Sequence, residues 1–379
     1  MGKKPSVIAL ANIGSKIAER SLENDQLGIL DSSAWSELAE TNIWRIPVDP
    51  QFGGLGGTWK ECVECIDLIA STCKDAGFLV TMLGHVGSIK LLADFGTAAQ
   101  KDRWLPKLLS GEIAVTAMTE ATGGSDLSKM RTAARREESK ILKLSGIKSH
   151  ITNAPVATMG MIAGRYAGLD PKKDITLFFI DFDARGVNIG ETEDNLGIRT
   201  SPTANIELDS VVIDQLNIIG DPGNGMSILY SIISFERALY GVIAAGLVDG
   251  MLSQTMERAT SRQAFGKSLA NYQYIQRRIT DMKMSSTVCR SLTYHALEMI
   301  EISSPDASIA CSTTKYNAGE LFFRAAEDMV QIYGHQGFMN NNLVSKYLRD
   351  AAGMRIAGGT SDIQRVNIFN QLMRQQRQD

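Results

Sequence analysis

Cysteine is scarce in this chain: Cys62, Cys65, Cys73, Cys289 and Cys311 are the five in 379 residues. So few, in an odd number and with no signal peptide ahead of them, exclude a disulfide scaffold and predict a reducing, cytoplasmic setting. Histidine is scarcer still, and His85, His150, His295 and His335 are too dispersed for a metal motif. Charge of one sign is also lacking. A formal net charge of -3 and a pI near 5.9 give no basic field, so general nucleic-acid binding has no electrostatic support, although local basic pockets for phosphates remain open. No unbroken run of about 18 apolar residues offers itself to a bilayer, and no membrane partner is expected. What the chain does have is ordinary: 44% hydrophobic and 21% charged residues, in a length that supports two or three domains sharing a sizeable core.

Two short patterns carry little. Cys62 and Cys65 form a lone Cys-x-x-Cys within a helical run from Trp59 to Ser71, and without a second pair or a histidine cluster they read as small buried thiols. The start, Met1-Gly2-Lys3-Lys4-Pro5-Ser6, fits the loose myristoylation pattern, an anchor that the chemistry below does not need.

Hydrophobic spacing divides the chain in three. Apolar residues at helical intervals over Ile8 to Ile17, Trp35 to Leu38, Cys62 to Ile69 and Val86 to Phe95 predict an N-terminal helical domain over 1–112. Within it, Gln51-Phe52-Gly53-Gly54-Leu55-Gly56-Gly57 is a turn; no buried strand leads in and no βαβ unit follows, so it is not a dinucleotide fingerprint. Short β-rich runs follow at Ile141 to Leu144, Ala157 to Ala163, Ile175 to Phe182, Val187 to Ile189, Ala204 to Leu208 and Val211 to Ile213, predicting a small antiparallel β domain over 113–219. After Gly220-Asp221-Pro222-Gly223-Asn224-Gly225, helical patterns run from Met226 to Arg262, Ile275 to Ile302, Ser308 to Tyr333, Asn342 to Ala357 and Ser361 to Met373. They predict a four-helix bundle over 220–379. Helices, then strands, then helices make an α+β protein rather than a doubly wound sheet.

One position in the last part stands out. Glu236 lies in an apolar helical stripe, with Leu229, Ile232 and Ile233 before it and Leu239, Tyr240 and Ile243 after it. A carboxylate facing a pocket there must be compensated, by Arg237 or a neighbour, or have its pKa raised toward neutrality, which is how a fold makes a general base. A helix phase that leaves Glu236 solvated beside Arg237 fits the periodicity equally well.

Four segments decide the context. They are Thr119-Glu120-Ala121-Thr122-Gly123-Gly124-Ser125-Asp126; Lys148-Ser149-His150-Ile151-Thr152-Asn153; Arg262-Gln263-Ala264-Phe265-Gly266-Lys267 with Gln273; and Gln331-Ile332-Tyr333-Gly334 leading to Arg349-Asp350-Ala351 and Gly359-Thr360-Ser361-Asp362-Ile363-Gln364-Arg365. In this order and at these intervals they resemble the acyl-CoA dehydrogenase family of flavoproteins, from about Pro47 to Arg374. The resemblance implies FAD. Met118, Thr119, Gly124, Ser125, His150 and Thr152 would line the flavin, with Ser125 also touching the thioester. Arg262, Phe265, Gln331 and Gly334 would reach it across a subunit boundary, Gln273 would also bind it, and Thr360 and Asp362 would meet it within a subunit. A cofactor shared in this way implies a homotetramer or homodimer. Hydroxyl and backbone donors suit a flavin edge, and an arginine suits a diphosphate.

Departures refine the expectation. Most relatives carry the catalytic glutamate immediately before Gly359-Thr360, where this chain has Gly358. One branch, with the long-chain and isovaleryl dehydrogenases, places it instead on the helix bearing a Glu-Arg pair, and Phe235-Glu236-Arg237 matches that. Resemblance and helical phase thus agree on Glu236 as base, with the Gly358 N–H helping to polarise the thioester carbonyl. Arg237, Ser234 and Gly359 join Ser125 as expected substrate contacts. His150 stands for the usual tryptophan over the flavin, Ala121 for a proline, and Ser234 for an aspartate used by some relatives on the CoA portion; the opening helix is short. The reading is an FAD-dependent acyl-thioester dehydrogenase acting on an acyl-CoA or on an acyl or aminoacyl carrier protein, passing electrons to an acceptor such as an electron-transfer flavoprotein. A flavin oxidase or monooxygenase on the same fold, oxidation of a hydroxyl-bearing carrier-bound unit, and a catalytically silent binding protein are the alternatives. The pocket floor is expected around Met82 to Ile89 and Leu239 to Leu247, widened by Gly241 and Gly246.

Overall fold

The structure is a computed structural model that describes residues 3–137 and 141–377, so the first two residues of the acylation pattern, Met1 and Gly2, lie outside the described residues. Five helices open it: α1 (Val7–Leu27), α2 (Ser32–Glu40), α3 (Trp59–Cys73), α4 (Ala76–Phe95) and α5 (Ala98–Leu109). Each begins at a side chain that accepts from the first-turn amides: Ser6, Asp31, Thr58, Asp75 and Thr97. Thr58 with Glu61, and Thr97 with Gln100, close reciprocal capping boxes. Two readings need correction. The opening helix is not short but runs 21 residues. α5, absent from the sequence reading, holds Pro106 inside it because Trp104, Leu105, Leu108 and Leu109 are all buried on one side, and that packing outweighs the proline.

The strands are β1 (Ala114–Ala117), β2 (Ala133–Arg136), β3 (Ile141–Thr152), β4 (Met159–Tyr166), β5 (Ile175–Asp181), β6 (Val187–Ile189), β7 (Thr203–Asp214) and β8 (Ile218–Ile219), ordered β6-β7-β3-β2-β4-β5-β8. The sheet is not wholly antiparallel as expected: β1 and β2 both run parallel to β4, one along each half of it. β7 is one strand rather than two, because Ser210 with φ of 52° takes up a register shift opposite Ser145 and lets the buried face change phase. Alternation on the inner strands decides what they join. Met159, Met161, Leu177 and Phe179 face the helical core, while Ile162, Phe178 and Ile180 face a second core within the β part.

The chain then forms α6 (Gly225–Ser261), a hairpin of β9 (Gln263–Ala264) and β10 (Lys267–Ser268), α7 (Gln273–Glu301), α8 (Ala307–Tyr333), α9 (Leu343–Met354) and α10 (Ser361–Gln375). α6, α7 and α8 pack along one another, and α9 and α10 both lie on α8. The whole is α+β, helical at both ends with a β middle. α4 and α6 are long and apolar enough to cross a membrane, which no unbroken run had suggested; in the fold, 89% and 83% of their most apolar windows are buried inside the protein, so that apolarity is spent on the core. Gly241 and Gly246 do not widen a pocket. A Cβ on Gly241 would sit 2.1 Å from Thr293 Oγ1, and one on Gly246 2.5 Å from Ala70 Cβ, so they let α6 approach α7 and α3.

Lys346 on α9 ties the three parts together. Fully buried, it pairs with Asp350 at 2.7 Å and with Asp75, the cap of α4, at 3.5 Å. Asp350 also accepts from the Ile198 N–H at 2.7 Å, Thr200 bonds Asp75, and neighbouring Arg349 pairs with Asp25 of α1. Burial alone would lower the Lys346 pKa, but Asp350 and Asp75 outweigh it and hold it above the ordinary lysine value. Removing one partner of such a cluster strands the others. Lys346→Ala is expected to cost about 3–5 kcal/mol, read as a fall in the thermal unfolding midpoint; an unchanged midpoint would show that the cluster is not a tie.

Candidate active site

Glu236 lies about a third of the way along α6, on the face that meets α4 and β1. The residue is half-buried, with its carboxyl packed against α4 and β1. Gly87 of α4 makes the space: a Cβ there would stand 2.0 Å from Glu236 Oε1. From β1, the Thr116 hydroxyl donates to the same oxygen at 3.5 Å. Burial pushes the Glu236 carboxyl up to about 8, against the smaller opposing effects of Thr116 and of the Arg237 charge. Arg237 is near but otherwise engaged. Its Nε donates to Gly358 O at 3.3 Å, and its two Nη atoms reach the Asn367 amide oxygen at 3.1 and 3.2 Å, with that amide turned to suit them. Both of its partners are protein groups beneath the Gly358 turn. Ser234, two residues before Glu236, is half-buried.

Gly358 and Gly359 have φ of 69° and 95°, a conformation that side-chain-bearing residues rarely take. The ring of Tyr240, one helical turn beyond Glu236, fills the space beside them, and a Cβ on Gly358 would lie 2.7 Å from its Cε2. A glutamate at 358, the commoner place for the base, therefore has no room. Gly359 is backed by Gln364, whose Nε2 donates to Gly359 O at 2.8 Å.

The loop after β1 forms the second element. Met118 and Thr119 are half-buried, Gly124 and Ser125 exposed. Glu120 anchors them from below: it accepts from Lys148 Nζ at 2.8 Å and from the N–H groups of Arg131 and Thr132 at 2.7 and 3.0 Å. Lys148 also reaches Met118 O, and the Ser149 N–H donates to Thr119 O at 2.9 Å, so the loop is stitched to the last part of β3. Burial would raise the Glu120 pKa, but Lys148 and Thr132 overcome it and hold it low. His150, with φ of 57°, turns outward at a bulge in β3, its Nδ1 2.8 Å from Glu193 Oε1.

The remaining candidates stand elsewhere on the chain. Arg262 follows α6; Phe265, at the tip of the β9–β10 hairpin, is 97% exposed with φ of 50°; Gln273 opens α7. Gln331 lines a groove of about 700 Å³ between α7 and α8 with Arg277, Arg278 and Arg324, and Gly334 ends α8 with φ of 62°. No hydrogen bond or ion pair among the described residues joins these five to Glu236. Thr360 caps α10 by accepting from the Ile363 N–H, and exposed Asp362 pairs with Arg365 at 2.7 Å. Sequence reasoning passed over Thr116, Gly87 and the Glu120–Lys148 pair, and took Tyr240 as part of an apolar stripe. A glycine three residues after Gly84 within a bulky helix was the available signal for Gly87.

Comparison with known proteins covers nearly all of the chain. Residues 11–112, 115–211 and 223–373 match the N-terminal, middle and C-terminal domains of acyl-CoA dehydrogenase. The human mitochondrial very long-chain specific acyl-CoA dehydrogenase is 29% identical over 352 residues, 91% of this chain and 53% of that protein. The chain thus spans about half the length of the curated relatives that it matches first. The crystal structure of the prolyl acyl carrier protein oxidase AnaB superposes with a TM-score of 0.88 at 26% identity, over 96% of this chain and 98% of that one. PigA with FAD and proline superposes at 0.90 and 26% identity, over 97% and 96%.

Two measurements test this geometry. Gly87→Ala should displace the Glu236 carboxyl and lower turnover at least tenfold while leaving the unfolding midpoint nearly unchanged; full turnover would mean that the two helices are not in close contact. The raised Glu236 pKa also makes stability depend on pH. The folded state holds the Glu236 proton up to about pH 8, whereas the unfolded chain releases it near 4.5. Wild type therefore loses stability relative to Glu236→Gln as pH rises from about 4.5 to 8, with a constant gap above. Equal midpoints at pH 5 and pH 8.5 would mean a solvated carboxylate.

Proposed function

We propose, for a chain that belongs to the acyl-CoA dehydrogenase family, that it removes an α-proton and a β-hydride from an acyl thioester, with Glu236 as the base. The observation that carries this is the Glu236 carboxyl, poised near pH 8 against Gly87 of α4 and Thr116 of β1. A base so tuned is weakly hydrated and strong enough to take a proton from a carbon acidified by a thioester. The Gly358 turn, held from beneath by Arg237, presents backbone N–H to the carbonyl, and charge developing on that oxygen is what such a donor stabilises. The proton goes to Glu236 and the electron pair of the β-C–H bond leaves as hydride.

FAD fits the residues present. The loop from Met118 to Ser125 offers exposed backbone and hydroxyls beside Thr152, and nothing lies closer than 4.0 Å to a Cβ placed on Gly124, so the loop is open to a planar ring. When bound, FAD supplies the hydride acceptor. Thr119, Ser125 and Thr152 would orient it, and Glu120 with Lys148 would keep the loop in place. Phe265, exposed at its hairpin tip, and the arginine-lined groove at Gln331 support a cofactor site completed by a second copy of the chain, in a homodimer or homotetramer. Electrons would then pass to an acceptor such as an electron-transfer flavoprotein. The carrier is either CoA or an acyl carrier protein, both of which present a pantetheine thioester. The names of the AnaB and PigA structures favour including prolyl and other aminoacyl units among the test substrates. The outward turn of His150 toward Glu193 favours a second reading, an oxidase open to oxygen at the flavin.

Anaerobic bleaching of the bound flavin by acyl groups presented as CoA esters and as carrier-protein thioesters tests the assignment. Glu236→Gln should keep its flavin and bleach about 10²–10⁴-fold more slowly. In wild type, kcat/KM should climb about tenfold per pH unit and level off near 8. Gly358→Glu in the Glu236→Gln background should restore nothing, because Tyr240 fills that space. A fully active Gln variant would overturn the base, and rapid aerobic turnover without an added acceptor would move the reading to an oxidase.

A further inference from the structure

Tyr240 is the polar residue nearest the Gly358 turn that the chemistry above leaves without a task. It lies four residues beyond Glu236, hence on the same face of α6, and is 5% exposed. Its ring sits against Gly358, with the hydroxyl 3.2 Å from where a Cβ on that glycine would be. Lys315 of α8 holds the ring from another direction. That lysine is 1% exposed, its Nζ lies 4.6 Å from the ring centroid, and it donates to Met354 O at 2.7 Å. Burial and the Arg237 charge lower the Lys315 pKa to about 7, so the amine carries only part of a charge near neutral pH; bonded to the Met354 carbonyl on one side and packed on the ring on the other, it still limits how far the ring can swing.

The hydroxyl itself has no hydrogen-bond partner among the described residues. Three other buried or half-buried tyrosines do have one: Tyr333 donates to Gln254 O at 3.1 Å, Tyr347 accepts from Gln254 Nε2 at 3.3 Å, and Tyr272 donates to Ala264 O at 2.6 Å. The Tyr240 hydroxyl is not sealed in: it keeps some contact with solvent while the ring is buried. It stands on the same face of α6 as Glu236 and beside the Gly358 turn, and a ligand that displaces that solvent must offer the phenol a partner or leave it unpaired at a cost.

We propose that Tyr240 selects the acyl group: its hydroxyl pairs with a hydroxyl or amine carried on a short acyl unit close to the reacting carbons, and its ring closes the pocket to long unbranched chains. The inference rests on the thioester reading above and narrows its substrate class. A phenol both donates and accepts, so it takes either heteroatom. A plain alkyl group of the same shape leaves it unpaired, and sites of this kind reject such analogues by about tenfold or more.

The test uses the FAD-loaded protein and pantetheine thioesters in matched pairs, prolyl against cyclopentanecarbonyl and 4-hydroxybutyryl against pentanoyl, with octanoyl as the long chain. Flavin bleaching gives KM and kcat separately. Titration calorimetry on Glu236→Gln, where chemistry is slowed well below the time of an injection, gives affinity alone. Wild type should favour at least one heteroatom-bearing member at least about tenfold, mainly through KM and affinity, and Tyr240→Phe should bring that ratio close to one. Tyr240→Ala should raise octanoyl relative to pentanoyl. A preference that survives Tyr240→Phe, or a wild type that favours the alkyl members or octanoyl, overturns the assignment. If no thioester bleaches the wild-type flavin, the dehydrogenation reading falls. The calorimetric ratio with and without Tyr240→Phe then still decides whether Tyr240 selects the ligand.

Discussion

The buried Lys346 ammonium is the constraint on which the arrangement turns. It takes carboxylates from the cap of α4 and from its own helix, and through Asp350 it also grips the chain at Ile198 in the β part. Neutralising a buried cation in a low-dielectric interior demands close and fixed partners, so three segments that have no covalent reason to meet are held in one register. The consequence reaches the site. α4 carries Gly87, β1 carries Thr116, and α9 feeds directly into the turn at Gly358, so the same junction sets the walls around Glu236.

Within those walls, two substitutions of type compensate for each other. A glutamate at 358 would need the volume that the Tyr240 ring occupies, and Gly87 supplies the volume that the Glu236 carboxyl requires. On the proposed reading the base stands on the helix, with Tyr240 in the space beside Gly358. Because the carboxyl lies against apolar helix faces, its acidity is set mainly by lost hydration, and the adjacent Arg237 does little to offset this while its guanidinium is committed to Gly358 and Asn367.

Some motif residues prove to be supports. Glu120 and Lys148 look reactive in a sequence, yet they form a buried pair whose work is to pin the loop bearing Thr119 and Ser125. Others have nothing to act on within one chain. Phe265 projects at the tip of a two-stranded hairpin, and Gln331 faces a groove with three arginines; such features acquire meaning only when another surface covers them.

Sequence by itself determined the helix, strand, helix order, which follows from periodicity, because burial on one face of an element is written directly into the chain. Periodicity left the phase of Glu236 open between an inward and a solvated carboxylate, and the motif resemblance favoured the inward one. Sequence also placed the four motifs, because their residue types are fixed by local turns and by the chemistry of a flavin. Only the tertiary structure decided that the sheet is mixed, that α5 persists through Pro106, and that Gly241 and Gly246 serve helix packing while Gly87 serves the carboxyl. Each depends on what an element meets, not on what it contains. Tyr240 is the clearest case: in the sequence it is one more large residue in an apolar stripe, and its hydroxyl becomes conspicuous only when Gly358 and Lys315 close around the ring. An unpaired donor is a property of surroundings, and a single chain of letters does not list them.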